Sequence, residues 1–141
     1  MDLDMSLVPE HCRSEIQALL DERARVEALP IKACYAGATV GSRTARGGVV
    51  KENGFDFLLN GCSIARTGDL VEYPDGSVAT IISGAGVACS FGDGSTHALV
   101  GSHLSNGDII TDSLHYGIRF FLREGDDVEG FLVPHYKSPV L

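Results

Sequence analysis

The stretch that decides the fold is Ser63-Ile64-Ala65-Arg66-Thr67-Gly68-Asp69, followed by Leu70-Val71-Glu72, a turn at Asp75-Gly76-Ser77 and an apolar run from Val78 to Ile82. Two short β-type runs joined by an Asp-Gly turn, and entered through a glycine bend, describe a β-hairpin. The same texture occurs twice more. Upstream, Val40-Gly41-Ser42 leads to Gly47-Gly48-Val49-Val50. Downstream, Val100-Gly101-Ser102 leads to Asn106-Gly107-Asp108-Ile109-Ile110. The anchoring glycines Gly41, Gly68 and Gly101 are 27 and 33 residues apart. A repeat near 30 residues means one supersecondary unit used several times.

Further hairpin signals lie between the units. Asn60-Gly61 separates Phe57-Leu58-Leu59 from Ser63-Ile64-Ala65, and Gly92-Asp93-Gly94 separates Val87–Phe91 from His97–Val100. Asn-Gly is the strongest two-residue turn because both positions tolerate positive φ. Ala65 and Ala98, just ahead of Gly68 and Gly101, suit a narrow point where strands of different units converge. The expected fold is mainly β, a conical pseudo-threefold body of hairpin repeats over residues 31–115.

Residues 1–30 contain no glycine and place Ile16, Leu19 and Leu20 at helical spacing among charged residues. With Pro9 at the start and Pro30 at the end, they predict an amphipathic helix over about residues 10–28. It packs on its own domain or docks on a partner. Residues 116–141 carry two apolar runs, Ile118–Leu122 and Phe131–Val133, around the acidic turn Gly125-Asp126-Asp127. These read as an added hairpin, followed by an extended tail from Pro134 to Leu141.

Composition narrows the function. Of 141 residues 44% are hydrophobic, enough for a packed core, while 17 glycines and no Trp favour tight turns over large packed helices. A formal net charge of −8 offers no basic face for a phosphate backbone, so no nucleic-acid partner is expected. No secretory signal and no apolar stretch near membrane-spanning length is read, so if the protein leaves the cell it does so by a route that reads no such signal. Cys12, Cys34, Cys62 and Cys89 form no C-x-x-C pair and read as small buried hydrophobes.

On these residues the chain resembles the PAAR-repeat family, the sharpened tips of type VI secretion spikes and related contractile phage tails. Family members carry P-A-A-R-V-G-D units followed by a hairpin and an apolar V-I-x-G-S run. Ser63–Asp69 fills the unit here and Ala79–Gly84 the run. Thr96-His97-Ala98-Leu99-Val100-Gly101-Ser102 is a weaker copy, and Ala36-Gly37-Ala38-Thr39-Val40-Gly41-Ser42 a degenerate one. No copy has the defining proline, and only one keeps the arginine.

The resemblance implies a structural protein made in the cytoplasm and delivered outside with the injection apparatus or virion. It implies one tip per trimeric spike of the VgrG or phage-hub kind, transient contact with a target membrane, and an effector or cargo held through the helix at Ile16, Leu19 and Leu20. The alternative is a free-standing β-rich binding or scaffold module. No catalytic residue is expected: there is no G-x-S-x-G, H-E-x-x-H or P-loop, and Asp69, Asp75, Asp93 and Asp108 read as turn residues. Residues 116–141 are too few for an independent catalytic fold.

Typical family members also hold a zinc near the apex, through ligands five residues after the unit glycine. Here those places carry Arg46, Tyr73 and Asn106, none of them a good zinc ligand. His103 is offset by three residues, which in a strand changes faces. No cofactor is therefore expected. Zinc stays open only through Cys89, His97, His103 and His115, each of which reads otherwise as a buried thiol or a surface histidine. The C-terminal hairpin is the candidate to stiffen the apex instead.

Overall fold

The computed structural model describes residues 9–54, 58–59 and 61–137. The protein is mainly β with antiparallel sheets and one helix. The elements run α1 (Glu10–Glu27), β1 (Ile31–Ala36), β2 (Val49–Val50), β3 (Leu58–Leu59), β4 (Cys62–Ser63), β5 (Leu70–Glu72), β6 (Val78–Thr80) and β7 (Arg119–Arg123). β2, β5 and β6 form one sheet, β3 pairs with β4, and β1 pairs with β7.

The three glycine-anchored segments make the same kinds of hydrogen bond, across hairpins of two lengths. Within each, the glycine N–H closes a hairpin: Gly41 on Val50 at 2.9 Å, Gly68 on Ile81 at 2.8 Å and Gly101 on Ile110 at 2.8 Å. The glycines sit at φ 88°, 94° and 107°. Residues with a Cβ are disfavoured there, which is why each bend is a glycine. The residue after each glycine turns its side chain back. Ser42 Oγ accepts the Thr39 N–H at 2.9 Å, Asp69 Oδ2 the Arg66 N–H at 2.8 Å, and Ser102 Oγ the Leu99 N–H at 2.8 Å. Ser, Asp and Ser are interchangeable at this place because each supplies a short-reach acceptor.

Between segments the bonds run round a closed cycle. Ala38 N–H donates to Ala98 O (2.8 Å), Ala98 N–H to Ala65 O (2.9 Å), and Ala65 N–H to Ala38 O (3.1 Å). A second cycle joins Val40 to Ser63, Thr67 to Thr96 and Val100 to Ala36. A third joins Lys51 to Leu70, Ile82 to His103 and Thr111 to Arg43. All three alanines are fully buried, as a narrow meeting point requires. Beside this ring the strands alternate outward and inward, and Val50, Val71, Ile81, Leu104 and Ile110 fill the core at 1% exposure or less. Each such side chain contributes roughly 1.5–3 kcal/mol by leaving water.

The connecting hairpins form at the expected places, with one difference. Leu58 pairs with Ser63 and Leu59 with Cys62, antiparallel; Phe57 and Asn60 lie outside the described residues. Phe91 and Ser95 close the turn at Gly92-Asp93-Gly94, and Ser90 bridges Thr96. Val87 and Ala88, expected as strand, lie instead in a 3-10 turn, Gly86–Ala88. Its Val87 N–H donates to Glu129 O at 3.0 Å, so the backbone is held by the C-terminal segment and not by a β partner.

The C-terminal hairpin does not form. β7 pairs with β1, matching Tyr35 to Phe120 and Cys34 to Phe121, while Phe131 bridges Gly84 in parallel. Aromatic burial explains the difference: Phe120 meets the His97 ring edge-on at 5.5 Å, and Phe131 packs on Tyr35 at 5.3 Å. The boundary placed at residue 115 is accordingly crossed by the β1–β7 sheet. The tail beyond Pro134 is not extended as far as it is described. His135 N–H donates to Ile82 O at 2.7 Å and Tyr136 Oη to Glu129 at 3.0 Å.

The cysteines also differ from expectation. Cys34 is exposed and Cys12, Cys62 and Cys89 are half-buried, all four as free thiols. For Cys34 the reason is its place on a two-stranded sheet. Helix α1 covers the expected residues and carries the exposed ion pairs Arg23–Glu27 and Arg25–Glu22. Glu10 in its first turn and Arg25 in its last suit the helix dipole. It is tied to the body where Arg123 Nη1 donates to Glu27 O (3.1 Å) and Leu29 O (3.0 Å). Among the described residues no helix is long and apolar enough to cross a membrane.

Candidate functional site

The three unit hairpins end in turns of one kind. Thr44 N–H bonds Gly48 O, Tyr73 N–H bonds Ser77 O, and Leu104 N–H bonds Asp108 O. The turn glycines Gly47, Gly76 and Gly107 have φ of 85°, 86° and 87°. These are three-residue loops with a bulge glycine, favoured because their twist matches the flanking strands. The middle hairpin is longer by two residues on each side.

The positions five residues after Gly41, Gly68 and Gly101 come together. Arg46 Nη1 donates to Asn106 O at 2.9 Å, and Asn106 Nδ2 donates to Tyr73 Oη at 3.0 Å. At the centre lies Asp108, 2% exposed. Its Oδ2 accepts from Tyr73 Oη at 2.6 Å, and its Oδ1 from Ile109 N at 2.8 Å and Arg46 N at 3.2 Å. The Thr44 hydroxyl bonds into the same group and accepts the Gly48 N–H at 2.8 Å. Asn106 completes the loop by accepting the Asp108 N–H at 3.0 Å.

Burial alone would raise the Asp108 pKa, but the hydroxyls of Thr44 and Tyr73 and the N–H groups of Ile109 and Arg46 outweigh it and hold it below the usual carboxylate value. Tyr73 moves the other way: burial and the neighbouring carboxylate raise its phenol. The pair is therefore a carboxylate and a neutral phenol at neutral pH, with the proton on Tyr73.

This donor set does not fit a metal. A structural zinc takes about four lone-pair donors at roughly 2.0–2.3 Å. Arg46 has no lone pair to give, and the Asn106 amide and Tyr73 phenol are both spent on hydrogen bonds. The two Asp108 oxygens already accept from protein donors. Among the described residues no three His, Cys, Asp or Glu side chains are grouped to hold a metal ion.

The other histidines are dispersed. His103 is exposed, with Nδ1 on Ser83 Oγ at 3.0 Å. His115 and Cys89 are half-buried, and burial raises the Cys89 thiol pKa. His97 is 1% exposed and sits beside the alanine ring, its Nε2 donating to Ala38 O at 3.2 Å. Its Nδ1 is buried without a hydrogen-bond partner.

Of the four aspartates read as turn residues, Asp75 and Asp93 are so: each accepts the N–H two residues on, from Ser77 and Ser95. Asp69 caps Arg66, and Asp108 is the cluster's centre. Sequence reasoning placed Arg46, Tyr73 and Asn106 but missed Asp108. Strand alternation carried the signal, since Asp108 shares a face with buried Ile110, two residues on. Its counterparts, two residues before Val50 and Ile81, are the small residues Gly48 and Ala79. A Cβ on Gly48 would lie 2.9 Å from Tyr73 Cε1 and 2.5 Å from Val71 Cγ1. On the helix, Ile16 is half-buried, while Leu19 and Leu20 are 71% and 37% exposed.

No family model, curated protein or solved structure matches this chain.

Proposed function

We propose that this chain is a non-enzymatic spike-tip protein of the PAAR-repeat kind, which caps the blunt end of a trimeric β spike in a contractile injection system. The observation that carries this reading is the closed cycle of backbone bonds through Ala38, Ala98 and Ala65. Three units of one chain, bonded head to tail around one point, offer three similar sets of strand ends. A single asymmetric chain of that design matches a threefold partner, one strand end per subunit. A chain that trimerised by itself would have no need of internal repeats.

Two further features support the reading. Residues of all three unit hairpins meet around Asp108, and the middle hairpin is the longest, a design that would give the body a single leading loop. At the other extreme of the sequence, α1 offers Leu19 and Leu20 to solvent, a surface suited to an effector or cargo protein. Its delivery would follow that of the apparatus, out of the cytoplasm and through transient contact with a target membrane. Co-expression with a trimeric spike protein of the VgrG or phage-hub kind tests the reading: the chain should co-purify with the spike. A chain that never associates would instead fit a free-standing β binding module.

A further inference from the structure

We propose that Asp108 is the keystone of the converging hairpins, a buried carboxylate that clasps all three units in the place where the family's resemblance implies a metal ion. The proposal rests on the spike-tip reading only for that comparison; the hydrogen bonds stand without it.

The chemistry is an inversion of polarity. A metal centre is a cation ringed by lone pairs. Here an anion is ringed by N–H and O–H donors, one set from each unit. The first unit sends the Arg46 N–H and the Thr44 hydroxyl, the second sends the Tyr73 hydroxyl, and the third supplies Asp108 with the Ile109 N–H. Links to Asp108 thus span 62 and 35 residues of sequence. Charge-assisted hydrogen bonds of this kind are about twice as strong as neutral ones. Removing the carboxylate would leave several donors unpaired where water cannot reach them. Arg46, which would repel a dication, is turned instead to the Asn106 carbonyl and so ties the first unit to the third.

The room for the carboxylate is also built in. The counterpart places in the other two hairpins are Gly48 and Ala79; even a methyl at Gly48 would enter the space that Val71, Thr44 and Tyr73 occupy, and Ala79 is buried at 3% exposure. One acidic residue opposed by two small ones is what a single central anion requires. Three acidic residues would repel one another.

The test uses the purified chain alone, so its result is independent of whether a spike is bound. Calorimetric melting is recorded for the wild type with and without EDTA and with added zinc, and for Asp108→Asn. Amide exchange is followed in the three hairpin turns. The wild-type midpoint should stay unchanged by EDTA or zinc, and Asp108→Asn should lose roughly 5–10 °C. In that variant, turn amides of the first and second units, at Gly48 and Ser77, should exchange about tenfold faster or more, although the substitution lies in the third. Should Asp108→Asn not fold, Tyr73→Phe removes only the hydroxyl, and it should speed exchange at Gly107 with a smaller loss of midpoint. A wild-type midpoint that falls with EDTA overturns the proposal. So does faster exchange confined to the substituted unit. Failure to bind a spike would remove the spike-tip reading and leave these results intact.

Discussion

Ala38 and Ala98, sixty residues apart, are joined by a backbone hydrogen bond of 2.8 Å, and Ala65 closes the ring between them. All three are fully buried within the core. A second methylene there has nowhere to go. Ala65→Val should destabilise by about 1–3 kcal/mol through overpacking. Because the three positions are equivalent in their bonding, Ala38→Val and Ala98→Val should fall in the same range. Chemical denaturation of the three variants checks this; a neutral substitution at any of them would separate that unit from the ring.

Two glycines distinguish backbone strain from steric exclusion. Gly68 has φ 94° with nothing near its missing Cβ, so Gly68→Ala should cost only the left-handed penalty, about 1–2 kcal/mol. Gly86 has φ 59°, and a Cβ there would lie 2.2 Å from Glu129 O, a backbone atom that cannot step aside alone. Gly86→Ala should therefore cost more than Gly68→Ala and should expose residues 129–137 to limited proteolysis. Equal midpoints for the two variants would contradict the close approach of the C-terminal segment.

Much of this was legible in the sequence. Gly41, Gly68 and Gly101 marked three equivalent bends because a left-handed backbone leaves few alternatives to glycine, and Pro9 and Pro30 bracketed the helix. What failed was the partner of each C-terminal run. Ile118–Leu122 and Phe131–Val133 look like a hairpin because spacing reports only local options. Their real partners, Tyr35, His97 and Gly84, lie 23 to 96 residues back in the chain. At the converging turns, counting offsets found Arg46, Tyr73 and Asn106, but not the carboxylate they surround, since Asp in a turn-rich segment has a cheaper local explanation.

His97 gives the chain a pH dependence. Burial lowers its pKa, and the bond to Ala38 O opposes this only in part. The unfolded chain, with histidine near 6.5, therefore takes up a proton before the folded one does. The stabilising contribution is fully present above about pH 6.5 and is lost as pH falls below it towards the lowered folded value. Melting midpoints recorded from pH 7.5 to 5 should drop, and His97→Gln, which keeps a donor for Ala38 O, should flatten that part of the curve. An identical slope in the variant would place the titration elsewhere.

The convergence of the unit turns can be tested by building a metal site into them. In the triple variant Arg46→His, Tyr73→His, Asn106→His, three imidazoles should meet beside the Asp108 carboxylate, a donor set that suits zinc. The variant should retain about one zinc per chain and melt higher with the metal than without it. No uptake would mean that the three side chains do not share one place.

Helix α1 touches the body chiefly through Arg123, which bonds Glu27 O and Leu29 O. Removing residues 1–29 should leave a cooperative melt within a few degrees of the full chain, while contact with a cargo protein is lost. Unfolding of the truncated chain would place the helix in the core.

Native mass measurement of the chain mixed with its trimeric spike tests the central claim most directly. The account predicts one copy of this chain per spike trimer, because three units within one chain meet three subunits. Three copies per trimer, or no complex at all, would contradict it.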